Sequence, residues 1–346
     1  MDRPADHDDV RHVRRAIELA ARGPVADTNP RVGAVVLDRH GTVVGEGFHE
    51  GAGTPHAEIH ALRSAGETAR GGTAYVSLEP CNHVGRTGPC TEALIAAGVD
   101  RVVFALEDPS PAAAGGAGRL RSAGVQVTAG VLADDALALN RTWVHRVRTG
   151  RPFVTWKFAA TLDGRAAAAD GTSRWITGES ARADVHALRA SCGAIIAGTG
   201  TVCSDDPQLT ARGPGGDRQP GQPLRVVVGV RPIPPGSRVL DDAAPTQVFA
   251  THDLDHVLRT LGRAGIHHAL LEGGPTLAAA FLRAGLVDEV VAYIAPALLG
   301  AGSSAVGSLS INTIGAILRL HPTDVALIGG DIRITATPHH PDQEGS

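Results

Sequence analysis

Aromatic residues are scarce: six Phe, three Trp and two Tyr make up 3% of the 346 residues. Any core must therefore be built from Ala, Val, Leu and Ile. No apolar run approaches the roughly 20 residues a membrane helix requires, so a membrane-spanning protein is not expected. The N-terminal stretch MDRPADHDDV is acidic and lacks the apolar centre of a signal peptide, which makes a cytoplasmic protein the expectation. Basic tracts are missing too, and the formal net charge is −4, which argues against a nucleic-acid partner. There are only four cysteines, no framework of disulfides for a chain of this length. In a reducing compartment a structural disulfide is disfavoured. No G-x-G-x-x-G occurs, so the usual dinucleotide-binding fingerprint is absent.

What is present is a rhythm of strands and helices. Helical spacing runs over 10–22, 56–70 and 133–149, and a helix is expected from about Pro89 to just before Gly98. RVGAVVL and TVVGEGF read as a hairpin, TAYVSL and RVVFAL as strands, and a short helix (117–123) leads to VQVTAGV. TGRPF (149–153) reads as a boundary: a long helix stops, Gly and Pro follow, and the strand FVTWKFAA begins. The second half repeats the rhythm, with helices over 179–191 and 276–285 and strands at 193–198, 224–230, 268–274 and 288–296. This alternation predicts an α/β protein of two domains, 1–149 and 150–338, followed by a tail, TPHHPDQEGS, without apolar pattern.

One stretch carries the chemistry. SLEPCNHVGRTGPC (77–90) holds Cys81 and Cys90 with eight residues between them, too far apart for the Cys-x-x-Cys of a redox pair. Metal ligation or two unrelated buried thiols remain. Catalytic zinc takes three protein ligands and leaves a position for water. His56, in TPHAEIHAL, stands at an expected helix start, and Glu58 lies two residues on. One of the two can ligate while the other sits beside the water. That is the division of labour in zinc-dependent base deaminases, where a non-ligand Glu moves protons, with the signature H-x-E then P-C-x-x-C. Here His56-Ala57-Glu58 and Pro80-Cys81 fit, and the second cysteine comes six residues late. A structural zinc with His83 as fourth ligand, or thiols with His56 and Glu58 on a solvated helix end, is the plainer alternative.

With those residues in place, the sequence resembles the bifunctional riboflavin-biosynthesis deaminase/reductase family. The resemblance runs through TNPRVGAVV, GEGFHEGAGTPHAEIHALRSAG, AYVSLEPCNHVGRTGPCTEALIAAGV, TWKFAATLDGRAA, SRWITGESAR, GTGTVCSDDPQLTAR and LLEGGPTLAAAFLRAGLVDEVVAYIAPALLG. The long Cys–Cys spacer with H-x-G-[RK]-T is itself typical of the family. The resemblance implies a cytidine-deaminase-like three-layer α/β/α domain and a dihydrofolate-reductase-like α/β domain. It implies deamination of a phosphorylated pyrimidine, then NADPH-dependent reduction of its ribosyl unit. His56, Cys81 and Cys90 match the Zn2+ ligands and Glu58 the proton shuttle. Asn29, His49, His83 and Arg86 match positions lining the pyrimidine and phosphate pocket, although Asn29 before Pro30 and His49 also suit ordinary loops. A homo-oligomer, dimer or tetramer, is expected.

In the second half the resemblance matches Ala159, Trp175, Thr201, Asp205 and Gly274, Pro275, Thr276, Leu277, Ala278, Ala279 and Ala280 to NADPH-contacting positions. Ser173, Arg189, Leu209, Arg212 and Glu272 match substrate-contacting ones. Arg189 and Arg212 suit a ribose phosphate, with a solvated face as the alternative. Lys157 and Asp205 are the candidates for assisting proton transfer. By its own residues, GGPT (273–276) follows an apolar strand and puts Pro275 at a helix start, a place for a phosphate or an ordinary strand–helix turn. GTGTVC (198–203) has Cys203 where a third glycine belongs. Family members often carry Asp-Pro-Asn-Pro where this chain has DPSP (108–111), and an Asp where it has Gly229. Cys192 and Cys203 match no ligand position and read as buried thiols. A second domain that binds without reducing, a nucleic-acid deaminase and a zinc-stabilised binding module are the competing readings.

Overall fold

The computed structural model describes residues 5–83, 88–111 and 113–339. The chain divides into two compact units, Met1–Gly150 and Arg151–Ser346.

The first unit is a five-stranded sheet between two layers of helices. Its elements are α1 (His7–Ala20), β1 (Gly33–Leu37), β2 (Val43–Phe48), α2 (Ala57–Ala65), β3 (Thr73–Leu78), α3 (Cys90–Ala97), β4 (Arg101–Leu106), α4 (Gly116–Ser122), β5 (Gln126–Ala129) and α5 (Ala133–Thr149). The sheet order is β2-β1-β3-β4-β5; β1 pairs antiparallel with β2 and β3, and β3, β4 and β5 run parallel. Alternation along β1 shows why both faces are covered. Ala34 and Val36 pack into the core under α2, α3 and α4, whereas Val35 and Leu37 pack into the core under α1 and α5. The acidic start of the chain is not simply surface. Asp6 and Asp9 form a capping box on α1, and Asp9 is buried in a bidentate pair with Arg101 at 2.7 and 2.8 Å.

Small residues let the helices touch the sheet. A Cβ on Gly33 would lie 2.1 Å from the Ala16 carbonyl oxygen of α1, and one on Gly45 would lie 2.1 Å from that of Ala61 in α2. We predict that Gly45→Ala forces α2 off the sheet and destabilises the first unit by about 1–3 kcal/mol. A thermal melt equal to wild type would refute this. The short α2 matters for function because its first turn faces the pocket described below.

The second unit is an eight-stranded mixed sheet ordered β12-β13-β11-β6-β10-β7-β8-β9. Its elements are β6 (Phe153–Thr161), α6 (Glu179–Ala190), β7 (Ala194–Gly198), α7 (Thr199–Asp205), β8 (Leu224–Val228), β9 (Thr246–Phe249), α8 (Leu254–Arg263), β10 (His268–Leu271), α9 (Pro275–Arg283), β11 (Glu289–Ala295), β12 (Leu320–Ile328) and β13 (Asp331–Pro338). Strands β11, β6, β10, β7, β8 and β9 are parallel; the β12–β13 hairpin closes one edge antiparallel. Residues of α8 and α9 cover one face with Val154, Trp156, Ile196 and Leu271 beneath them. Val185 and Leu188 of α6 pack on the other face.

Several expectations need correction. The tail does not begin at Thr337: Thr337 and Pro338 pair with His321 and Leu320 as the end of β13. Residues 340–346 lie outside the described residues. Cys192 is buried, but Cys203 is exposed, because α7 is a single short helix that turns this side chain outward. His56 does open α2, as its extended N-cap residue. Elements α7, α8, β9, β12 and β13 have no counterpart in the sequence reading. Among the described residues no helix is long and apolar enough to cross a membrane.

Candidate metal centre and cofactor cavity

Two helix starts converge in the first unit. His56 caps α2 and Cys90 is the first residue of α3, while Cys81 follows β3. Their ligand atoms all lie within 4.8 Å of one another, the single His/Cys/Asp/Glu group of this kind among the described residues. His56 Nδ1 is 3.2 Å from Cys90 Sγ and 3.6 Å from Cys81 Sγ. Tetrahedral zinc, with bonds of about 2.0–2.3 Å to nitrogen and sulfur, sets ligand atoms about 3.5 Å apart. The donor set and its spacing therefore fit zinc, with a fourth position left over. The thiols are tuned apart. The Cys81 thiol is held well below its usual range, first by the hydrogen bond from Cys90 and, against burial, also by that from His56. The backbone amide of Cys90 also donates to Cys81 Sγ at 3.4 Å. Cys90 is pushed up, because it donates to Cys81 and is buried.

Glu58 is buried in the first turn of α2. Burial pushes its carboxyl above the usual range, beyond what the neighbouring His56 takes back. It borders a cavity of about 250 Å³ that is also lined by His56, Cys81, Asn29, His49 and His83. Asn29 Nδ2 sits 3.0 Å from His49 Nε2, and His49 Nδ1 lies 3.1 Å from the Pro55 carbonyl. That chain holds the His49 ring, with Nδ1–H donating to the carbonyl and Nε2 accepting from the amide. Arg86 lies outside the described residues. The sequence reading missed Asp108, Ser110, Trp143 and Arg146, which complete the wall. DPSP was legible as a departure, but only the strand order brings β4's end beside β3's.

Glu79 of the quoted stretch is structural: its carboxylate accepts from the amides of Asp108 and Ala117 at 3.2 and 2.9 Å.

In the second unit a cavity of about 700 Å³ opens at the carboxyl ends of β7, β8, β9 and β10. Thr201, Gly274, Pro275, Thr276, Leu277 and Ala280 line it, together with Gly198, Thr199 and Gly229. The two sequence motifs GTGT and GGPT thus meet at one crevice, where the Gly274 amide donates to Thr201 Oγ1 at 3.0 Å. Ala278 and Ala279 turn into the core instead. Strand connections leave β7 and β10 in opposite directions, which makes this gap a topological switch point, the usual place for a ligand in such sheets.

A further cavity of about 460 Å³ is lined by Lys157, Trp175, Arg182, His186, Arg189 and Arg212. Arg189 is not on a solvated face: it is largely buried and forms a bidentate pair with Glu272, 2.6 Å on both arms. The pair balances its charge while Arg189 stays on the lining of that cavity. Burial alone would raise the Glu272 carboxyl, but the charge and hydrogen bonds of Arg189, with Lys157 and His186, together bring it down to about 2. Burial lowers the Lys157 amine, more than nearby Glu272 raises it. Trp175 is 70% exposed and stacks under Arg182, whose guanidinium carbon is 4.5 Å from the ring centre. Leu209 belongs to the core, Ala159 packs on α6, and Ser173 and Asp205 are exposed outside both linings.

Comparison with known proteins follows this division. Residues 6–106 match the cytidine and deoxycytidylate deaminase zinc-binding region, and residues 152–334 match the RibD C-terminal domain. The riboflavin biosynthesis protein RibD of Mycobacterium tuberculosis is 52% identical over 88% of this chain and 90% of its own. That of Escherichia coli K12 is 45% identical, covering 84% and 89%. The crystal form 1 structure of Acinetobacter baumannii RibD superposes with a TM-score of 0.89 at 40% identity, covering 96% of this chain and 99% of that one.

Proposed function

Since the chain belongs to the RibD family of riboflavin-biosynthesis proteins, we propose that residues 1–149 deaminate and residues 150–338 reduce one phosphorylated pyrimidine in succession. The enzyme is a bifunctional zinc-dependent deaminase and NADPH-dependent reductase. The substrate of the first step is 2,5-diamino-6-(5-phosphoribosylamino)pyrimidin-4-one, and its ring amino group leaves as ammonia. The second step turns the ribosyl unit into a ribityl chain. Such a small-molecule enzyme needs no nucleic-acid partner and works in the cytoplasm as a dimer or tetramer.

The observation that carries this reading is the His56–Cys81–Cys90 cluster with Glu58 beside it on the wall of one cavity. When bound, zinc supplies the Lewis acidity that makes water nucleophilic at neutral pH. His56, Cys81 and Cys90 hold the metal. Glu58 takes a proton from the attacking water and returns one to the departing amino group, a task suited to a carboxyl whose proton affinity is raised by burial. Asn29, with His49 fixed behind it, reads the pyrimidine edge, while His83 and Arg86 bind the phosphate-bearing end.

In the second half, NADPH supplies the reducing equivalents. The first-turn amides of Thr276 and Leu277, which lack helical acceptors, would hold the cofactor's pyrophosphate. Lys157 donates its proton to the sugar ring oxygen as the furanose opens, because a buried ammonium gives its proton up readily. Arg212 holds the ribose phosphate, and the Arg189–Glu272 pair positions Lys157. Asp205, exposed at the end of α7, is the second candidate for assisting proton transfer.

The test is sequential turnover by purified protein: ammonia release from the diamino substrate, followed by stoichiometric loss of NADPH absorbance at 340 nm. Ammonia without NADPH oxidation would leave a deaminase with a binding-only second half. Salt-sensitive RNA or DNA binding in place of either turnover would support the nucleic-acid reading.

A further inference from the structure

The cofactor cavity has a one-sided charge. Its lining includes Arg231, His252 and Arg283 and not one Asp or Glu. The cationic groups are also unequal. Arg283, in the last turn of α9, donates to the Ser308 carbonyl at 3.2 Å. Arg231 is exposed, and among the described residues no hydrogen bond or ion pair engages its guanidinium. It follows β8 by three residues, whereas His252 follows β9 by three.

Direction along the sheet identifies what they face. The pyrophosphate place is the switch point between β10 and β7, where α9 starts. Strand β6, which carries Lys157, lies on the other side of β10. The reacting end of the cofactor therefore points toward β6 and the adenosine end toward β8 and β9. Two strand spacings, about 10 Å, separate β10 from β8. An arginine near the adenosine ribose can hold a 2′-phosphate by charge and two-pronged geometry. At the end of β8 the chain has Gly229, at a φ of +135°, and Arg231 follows two residues on.

We propose that Arg231, with His252 on the same cavity lining, is the group that reads the adenosine 2′-phosphate and so makes the reductase choose NADPH over NADH. This rests on the reductase reading above. The guanidinium of Arg231, on a lining without Asp or Glu, supplies the attraction for that phosphate.

The test separates this from the activity itself. Adenosine 2′,5′-bisphosphate and 5′-AMP differ only by the 2′-phosphate and need no turnover. Calorimetric titration of the wild-type protein should give tighter binding of the bisphosphate by about 10–100-fold, the range of a hydrogen bond to a charged group. In Arg231→Ala this ratio should fall toward one while 5′-AMP binding stays unchanged. Arg231→Lys should recover part of it. In turnover the same variant should raise the KM for NADPH and leave kcat and the KM for NADH alone. An unchanged ratio in Arg231→Ala, or no discrimination by the wild type, overturns the proposal. Failure of the wild type to oxidise NADPH at all would instead overturn the reductase reading.

Discussion

Glu58→Gln should lose deamination by about 10²–10⁴-fold while keeping both its zinc and its reductase activity. Gln keeps the length and volume of the side chain but cannot take up and return a proton. Glu58 is not among the three clustered ligand residues, so metal content measured by atomic emission should remain one per chain. The reductase assay, fed with already deaminated substrate, should run at the wild-type rate, because the second unit carries its own cavities. Retained deamination would mean that Glu58 is not the proton carrier. Lost zinc would mean that it is part of the metal's support. A zinc-stabilised binding module predicts no change in anything measured.

The second large effect concerns Glu272→Ala. The carboxylate and Arg189 are buried against each other, and removing one leaves the other as an uncompensated charge. Such deletions cost about 3–5 kcal/mol. Urea unfolding should therefore show the second unit weakened by that amount and the reduction abolished, with deamination intact. The pH dependence has a definite sign. The folded carboxyl titrates at about 2, below its ordinary 4.5, so its contribution is complete above about 4.5 and is lost as the pH falls toward 2. The stability gap between wild type and Glu272→Gln should be constant from neutrality down to about pH 5 and narrow below it. Equal stability at neutral pH would show that the pair contributes nothing net.

Where periodicity was strong, the sequence was readable almost to the residue. The apolar runs of β4 and the heavy periodic pattern of α5 fall at 101–106 and 133–149 as the spacing predicts. The metal cluster was readable because H-x-E and P-C are local patterns that a strand–helix turn brings together. Other features depend on tertiary structure. Strand β12 is exposed along most of its length, so burial imposes no alternation on it that the sequence could display. The pairing of Arg189 with Glu272, 83 positions away, is another contact that no local pattern shows. Asp9 looked like part of a polar terminus, and only β4 supplies the Arg101 that buries it. Glycine motifs also had to be placed in space: GTGT lacks the third glycine of the fingerprint, yet it lies beside GGPT because β7 and β10 are neighbours.

The thiols described above divide the protein's sulfur chemistry by address. Cys81 and Cys90 sit at the metal cluster, and Cys192, its thiol pushed by burial up to about 12, has no appreciable thiolate at neutral pH. Cys203 alone is open to solvent among the four. It lies two residues from Thr201 of the cofactor cavity, with its sulfur 3.8 Å from the carbonyl of Pro232, the neighbour of Arg231. The chain therefore carries a native handle for an environment-sensitive label close to the lining of that cavity. Cofactor occupancy could be followed by fluorescence without engineering a cysteine, and the zinc-side sulfurs would stay out of the reaction as long as the metal is bound.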